Sequence, residues 1–412
     1  MAATTDIRSA TPVWLFVAYG GGHIATVIPL ALRARALSLC EPLVLALTTA
    51  ASAAREAGLP TVGFKNFLRP GDEPWLAVGR QLAAQLPTAP ADIEESAAYL
   101  GLSYADLVVD HGPAIAENLY ARSGRQAFLP RHFLERVIKR VKPQLVCATN
   151  SPRAERAALM AAGKMGIPCV CVVDLFAIDE KRWIGLKGFA SRVCVLNEAV
   201  RQSLLDMERR PEEVLVTGNP AFDRLFDSAP AQRANHTRER LGSQGRRVLL
   251  WASQHEPMHH PWRQQVGDTE LPSRVLQTLI DYVHSREDWQ LAVRPHPSEA
   301  EPVLPSSSKV VLAGRDWPLT ELLHASDVVC TLTSTVGLEA HLLGKPVVQV
   351  GGSMFEDAAP FVAMGIAIRA DLNNLGSVLD ALPIRAQTTL ALPALPALAT
   401  GRVMDVMQSL CH

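Results

Sequence analysis

The chain has 412 residues, of which 48% are apolar and 20% charged, with 40 lysines and arginines against 41 aspartates and glutamates and a formal net charge of −1. That length exceeds one ordinary hydrophobic core and predicts two domains. The composition is globular, and no tail or block is basic enough to make nucleic acid the main partner.

From the N-terminus, MAATTDIRSATPVWLFVAYGGGH carries an apolar run without a basic n-region or a cleavage pattern, and no stretch reaches transmembrane length. PVWLFVAY (12–19), LVLALTT (43–49), PQLVCAT (143–149), PCVCVVD (168–174) and RVCVLN (192–197) read as strands of a first half. RVLLWAS (247–253), WQLAVRP (289–295), KVVLAG (309–314), DVVCTLT (327–333) and PVVQVGG (346–352) read as strands of a second. Helix patterns lie between them, among them HIATVIPLALRARAL, PRHFLERVIKRV, AERAALMAAGKMG and LPSRVLQTLIDYVHS. Continuous apolar strands alternating with helices predict parallel sheets covered on both faces, so the fold class is α/β with two doubly wound, Rossmann-like domains facing a central cleft.

The expected boundaries are 1–225 and 226–390, with a closing helix in 391–412 behind the proline-punctuated LPALPALAT. The polar stretch around DSAPAQRANHTRERLGSQGRR reads as a linker over roughly 223–246, and 66–130 reads as helical with loops. Five of the seven cysteines, Cys147, Cys169, Cys171, Cys194 and Cys330, sit inside apolar strand-like runs. Cys169 and Cys171 share a strand face, but no second C-x-C or C-x-x-C completes a metal site. Buried reduced thiols and a cytoplasmic protein are the expectation.

Ligands of open parallel sheets bind beyond the carboxyl ends of the strands, which gives four turns weight. In VAYGGGHIATVIP, Gly21 and Gly22 allow close backbone approach at a helix N-terminus, and His23 stands beside them. In LAVRPHPSEAEP, Arg294 and His296 are two apart on an extended chain, a pair suited to phosphate. In DVVCTLTSTVGLEAHLLGKPVV, Thr333, Ser334 and Thr335 open a helix where hydroxyls and amides form an anion site, and Glu339 lies one turn in, placed to accept from a ribose diol. VTGNPAFDRL, with Gly218, Asn219 and Pro220, is turn chemistry as well.

HEPMHHP (255–261) contains His255-Glu256-Pro257-Met258-His259, which fits the H-E-x-x-H zinc pattern. That pattern needs a helix, and here a proline divides the histidines behind a buried strand. The loop reads instead as a wall of the cleft, with Gln254, His255 and His259 toward donor sugar, phosphate or acceptor; no metal is expected. Glu356 and Asp357, after PVVQVGG, are expected at the donor-sugar hydroxyls. Asp110-His111 is a second base candidate.

At these motifs the chain resembles the GT-B superfamily of nucleotide-sugar enzymes over nearly its full length. VAYGGGH is similar to the glycine-rich loop of the peptidoglycan N-acetylglucosaminyltransferase group. VTGNPAFDRL and TSTVGLEAHLLGKPVV look like UDP-N-acetylglucosamine 2-epimerases, and RPHP followed by TST resembles bacterial surface-glycan transferases, in which these motifs hold nucleotide phosphates. The epimerase segment H-V-E-A-G-L-R is CVCVVDLFAID here, so Asp174 or Asp179 would have to substitute, and the G-G-I-Q-E-E turn has one carboxylate instead of two. Retaining members carry paired glutamates eight positions apart; Glu339 would be the second, but position 331 is threonine.

The resemblance implies an inverting, metal-independent glycosyltransferase without cofactor, its donor a nucleotide-sugar and its acceptor a glycan or lipid-linked hydroxyl of a bacterial surface polysaccharide or glycolipid. It implies an acceptor-side first domain and a nucleotide-sugar-binding second one, in the cytoplasm or peripheral at the inner membrane. His23 is the expected base, since imidazole titrates near neutral pH. An epimerase-like or hydrolysing sugar-nucleotide enzyme and a non-catalytic nucleotide-binding subunit are the alternatives.

Overall fold

A computed structural model describes residues 11–47, 49–86, 92–243, 245–260, 264–383 and 398–411. Pro261 of HEPMHHP and most of the LPALPALAT connector lie outside these residues. The chain divides into two compact units, Met1–Ala221 with Ala397–His412, and Phe222–Pro396.

The first unit contains β1 (Val13–Ala18), β2 (Glu41–Ala46), β3 (Thr61–Val62), β4 (Leu145–Thr149), β5 (Cys169–Val172), β6 (Arg192–Val195) and β7 (Val214–Val216). They form one parallel sheet in the order β3-β2-β1-β4-β5-β6-β7. The second unit contains β8 (Arg247–Ala252), β9 (Trp289–Arg294), β10 (Val310–Leu312), β11 (Val328–Thr331), β12 (Val347–Val350) and β13 (Ile368–Ala370). Its parallel order is β10-β9-β8-β11-β12-β13. Two parallel-sheet α/β units bear out the fold class read from the alternation, and each strand expected from an apolar run is present. The three strands without such a signal, β3, β7 and β13, are two or three residues long and lie at sheet edges. Edge strands need not be apolar on both faces, so they leave little pattern.

Central strands are apolar throughout because helices cover both faces. The helix Gly22–Ala36 turns Ile24, Val27, Leu30, Ala31 and Ala34 onto the first sheet. The helix Ala399–Gln408 adds Val403, Met404 and Met407 to the same core. Arg402 Nε donates to Thr217 O at 2.8 Å, fixing that helix beside β7.

The stretch 66–130 is mostly helical, with Glu73–Ala84, Ile93–His111 and Pro113–Ser123. The first two helices meet backbone to backbone: a Cβ on Gly79 would lie 1.9 Å from Ala97 O, and one on Gly101 2.0 Å from Trp75 O. The polar stretch expected as a linker holds a helix, Ser228–Arg240. It packs on Leu319–Ala325 through arginines rather than an apolar stripe, which is why its pattern is silent. Arg233 reaches Glu321 at 2.5 Å, and Arg238 donates to Ala325 O, Arg246 O and Asp327.

The seven cysteines are free thiols, six buried and Cys411 half-buried. Burial pushes Cys40 and Cys194 up to about 12. No described helix is long and apolar enough to cross a membrane.

Asp106, in the helix Ile93–His111, accepts the Phe133 N–H at 3.0 Å, yet burial pushes its carboxyl up to about 6. The fold thus favours the protonated form. The stabilising contribution is complete below the unfolded value of about 4 and is lost as pH climbs through about 6. Asp106→Asn keeps an acceptor and removes the charge. It is expected to be more stable than the parent by about 1–3 kcal/mol at pH 8 and to show no advantage at pH 4. Unfolding midpoints of both proteins across that range check this; a pH-independent difference would refute it.

Candidate functional site

Strand order in the first sheet places β1 against β4 and β4 against β5. Phe16 pairs with Cys147, and Cys147 with Val170. The carboxyl ends of three strands far apart in sequence therefore lie side by side. β1 is followed by Tyr19 and the glycine turn, where Gly21 has φ 66°. The left-handed region is costly for any residue with a Cβ, so glycine is required there for the sharp entry into the helix Gly22–Ala36. A Cβ on Gly22 would meet nothing within 4 Å, leaving that amide end open.

His23 stands on the first turn of this helix, about one-quarter exposed. Its Nδ1 lies 3.0 Å from Thr149 Oγ1, at the end of β4, and 3.5 Å from Asp174 Oδ2, just beyond β5. Asp174 is fixed by its main chain. Its N–H donates to Asn150 Oδ1 at 2.9 Å, and its carbonyl accepts from Asn219 Nδ2 at 2.7 Å. Asn219 Oδ1 also takes the Ala221 N–H at 2.8 Å and lies 3.0 Å from Thr26 Oγ1. Both asparagines are buried. The GNP turn therefore ties β7, the loop after β5 and the helix that carries His23.

Asp179 and Glu180 follow on the same loop, past Ala177 in the left-handed region at φ 53°. Burial, and then the nearby Asp174 and Asp179 carboxylates, push Glu180 above the ordinary carboxylate range, while His23 acts in the opposite sense. Asp110 lies elsewhere on its helix, bonded to Arg131 Nη2 at 2.9 Å and His132 Nε2 at 3.0 Å. Burial would raise its carboxyl, but these bonds outweigh it and hold it below the usual range.

The second unit carries its own group at the ends of β8, β9, β11 and β12. Gln254 and Thr333 are joined through both ends of the amide: Nε2 reaches Thr333 Oγ1 at 2.7 Å, and Oε1 accepts the Thr333 N–H at 2.8 Å and lies 3.0 Å from Oγ1. Ser334 caps the helix Thr335–Leu342, its Oγ accepting from Val336 N at 3.3 Å, and Thr335 is exposed. His296 is exposed beyond β9; its N–H donates to Glu299 at 2.6 Å, and Glu299 also accepts from Ser253 Oγ at 3.1 Å. The hydroxyls, Gln254 and the β9 turn thus share one edge of the sheet.

Several expected contacts are spoken for within the protein. Arg294 Nη1 donates to the carbonyls of Ala313, Gly314 and Trp317, so Arg294 anchors the turn after β10. Glu339 is buried and bonded to Arg224 at 2.7 Å, and burial still leaves its carboxyl above the ordinary range. Glu356 accepts from Arg369 and from Gly352 N, while Asp357 is exposed. His255 and His259 are exposed and belong to no helix; His259 forms an antiparallel bridge with Val266. They do not share the helical face that H-E-x-x-H requires.

The residue of HEPMHHP that sequence reasoning left aside is Glu256. It is 1% exposed and accepts from Ser353 Oγ at 2.9 Å and Met354 N at 2.6 Å, tying the loop after β8 to the loop after β12. Thr149 and Asn150 also escaped notice. The strand-end rule applied to β4 as well as β1 would have found them.

The model of the capsule polysaccharide biosynthesis protein family matches residues 283–359, the stretch that runs from before β9 through β12. No curated protein matches the chain in sequence. Solved structures match over its length. The putative UDP-N-acetylglucosamine 2-epimerase of Listeria monocytogenes is 16% identical, covers 97% of this chain and 96% of its own, and has a TM-score of 0.60. The UDP-GlcNAc 2-epimerase of Methanocaldococcus jannaschii, solved with UDP-GlcNAc and UDP, is 12% identical over 96% of this chain and 99% of its own, at 0.55. The kitacinnamycin glycotransferase is 14% identical over 98% and 100%, at 0.52. Identities this low establish the fold. It is the two-domain GT-B-like fold shared by sugar-nucleotide epimerases and glycosyltransferases, as the four turns suggested.

Glu256→Ala would leave the Met354 N–H and the Ser353 hydroxyl without an acceptor in a buried place. It is expected to cost about 1–3 kcal/mol. Denaturant unfolding checks this, and an unchanged midpoint would show that the two loops do not depend on Glu256.

Proposed function

We propose that this protein is an inverting, metal-independent glycosyltransferase. The observation that carries the reading is His23 with its Nδ1 against Thr149 and Asp174 at the end of β1. A proton on Nδ1 satisfies Thr149 Oγ1 or the Asp174 carboxylate, and it leaves the lone pair on Nε2. That nitrogen takes the proton of an acceptor hydroxyl as the hydroxyl attacks the anomeric carbon, and Asp174 stabilises the resulting imidazolium. In this reading the first unit takes the acceptor, and the second binds the nucleotide-sugar. Ser334, Thr335, His296 and the amide end of the helix Thr335–Leu342 receive the leaving phosphates. The match of 283–359 to the capsule polysaccharide family supports a surface-glycan role.

A second reading, a sugar-nucleotide epimerase or hydrolase, is favoured by one observation. Asp174, Asp179 and Glu180 gather beside His23, and the Glu180 carboxyl is raised by burial, as suits an acid or base acting on a sugar carbon. Such an enzyme consumes UDP-GlcNAc without acceptor, and a transferase does not.

Thermal unfolding with CMP, CDP, UDP, GDP and dTDP tests the nucleotide. The cognate nucleotide at a hundred times its Kd is expected to stabilise the protein by about 2.7 kcal/mol, and no response to any of the five would end the nucleotide-sugar reading. His23→Ala and Asp174→Asn are each expected to lower kcat by about 10²- to 10⁴-fold with unchanged nucleotide binding, and a chelator is expected to leave the rate unaltered. Transfer at the parental rate in His23→Ala would remove the histidine from its role.

A further inference from the structure

Near this histidine the first unit gathers four arginines, three of which have no ion pair among the described residues. Arg153 and Arg156 flank Glu155 at the start of the helix Ala154–Lys164, the helix that follows β4. Arg153 lies over the Tyr19 ring at 4.7 Å, and Tyr19 leads directly into the glycine turn of His23. Arg156 and Arg182 both lie against Trp183, at 4.9 and 5.1 Å from its ring centroid. Arg131 is close enough to Arg156, as is Arg182, that burial and then these like charges weaken the hold of Arg156 on its proton. Among the described residues Arg131 has one ion pair, with Asp110, while Arg153, Arg156 and Arg182 have none.

The hydrogen-bond inventory points the same way. The buried donors Arg131 Nε, Arg153 Nε, Arg156 Nε, Trp183 Nε1 and Tyr99 Oη have no partner. Trp183 is 4% and Tyr99 5% exposed, and Tyr99 lies within the electrostatic reach of Arg153, Tyr19, Glu155 and Arg125. On the acceptor side stands Glu155 Oε2, whose twin takes the Tyr19 N–H at 2.6 Å, while the hydroxyls of Tyr99 and Ser103 can serve as donor or acceptor alike. Buried polar groups are ordinarily paired, and the positive end of a helix dipole is a poor place for unpaired cations. The region has an excess of donors and of positive charge, and one chemistry answers both. In the cavity of about 740 Å³ lined by Arg136, that arginine is by contrast paired with Asp72 at 2.6 Å.

We infer that Arg153, Arg156, Arg182 and Arg131 form a binding site for an oxyanion, a phosphate or carboxylate. On the transferase reading above, that anion belongs to the acceptor. The acceptor is then an acidic glycan or a phosphate-bearing one, held by its charge so that a neighbouring hydroxyl reaches His23. Guanidinium groups suit this task because they offer paired donors in a plane and stay charged at every working pH.

The test compares the full-length protein with Arg153→Gln/Arg156→Gln in thermal unfolding, with sodium phosphate, sodium glucuronate or sodium chloride at equal ionic strength. Phosphate or glucuronate is expected to raise the parental midpoint by several degrees over chloride, and the more effective of the two names the group. The double variant is expected to unfold no earlier than the parent in chloride, since it loses unpaired charge, and to lose the anion-specific rise. Arg182→Gln, at an exposed position, supplies an independent variant with a weakened response. An absent rise in the parent, or an equal rise in the variants, overturns the site. UDP separates the two readings. A UDP response kept in the double variant supports the acceptor assignment, whereas one lost with it would move the anion to the donor and overturn that assignment. Binding of phosphate here with no response to any nucleotide would remove the transferase reading and leave the site standing.

Discussion

The structure depends on parallel pairing of strands that are remote in sequence. β1 lies between β2 and β4, so Ala18 and Thr149 end on the same edge of the sheet, and β5 brings Asp174 to the next place along it. Parallel strands need a crossover between them, and most crossovers here are helices or longer helical insertions, while β9 reaches β10 through the irregular stretch 295–309. The apolar strands are therefore more than a core. They are the device by which a histidine becomes the neighbour of a threonine and an aspartate that both lie more than a hundred residues further along the chain.

Position is then refined by side chains that bond main-chain groups. Asn150 and Asn219 hold the Asp174 backbone from both sides, Glu256 joins two loops of the second unit, and Gln254 is bonded to Thr333 through both ends of its amide. A loop residue held only by its own chain would lose alignment at little cost. One clamped through buried bonds keeps it, because releasing a buried polar group without a new partner is expensive. Arg294 and Glu339 belong to this framework too, each bonded within its own unit.

Much of the fold was legible because a buried parallel strand and an amphipathic helix leave different periodicities. β1, β4, β8 and β11 read clearly as apolar runs, while β3, β7 and β13 did not, being short and at an edge. The helix Ser228–Arg240 was invisible because arginine-to-carboxylate pairs, rather than an apolar stripe, attach it. For the site, the glycine turn made His23 legible, and its partner Asp174 was visible only as one of two acids. Which acid, and what holds it, depends on strand order and on side-chain reach, which local pattern does not carry. Arg153 and Arg156, at the start of the helix Ala154–Lys164, gave no signal, since nothing in spacing reveals that a charge lacks a partner.

The helix Ala399–Gln408 has a consequence for how the molecule is made. Val403, Met404 and Met407 complete a core begun by β1 and the helix Gly22–Ala36. The second unit is one uninterrupted stretch of chain between these two parts. During synthesis the second unit can therefore close on itself while the first still shows an apolar face, waiting for its last helix. Each such side chain, once buried, contributes about 1.5–3 kcal/mol, so this open face is the sticky stage in the life of the chain. The part translated first is the part finished last.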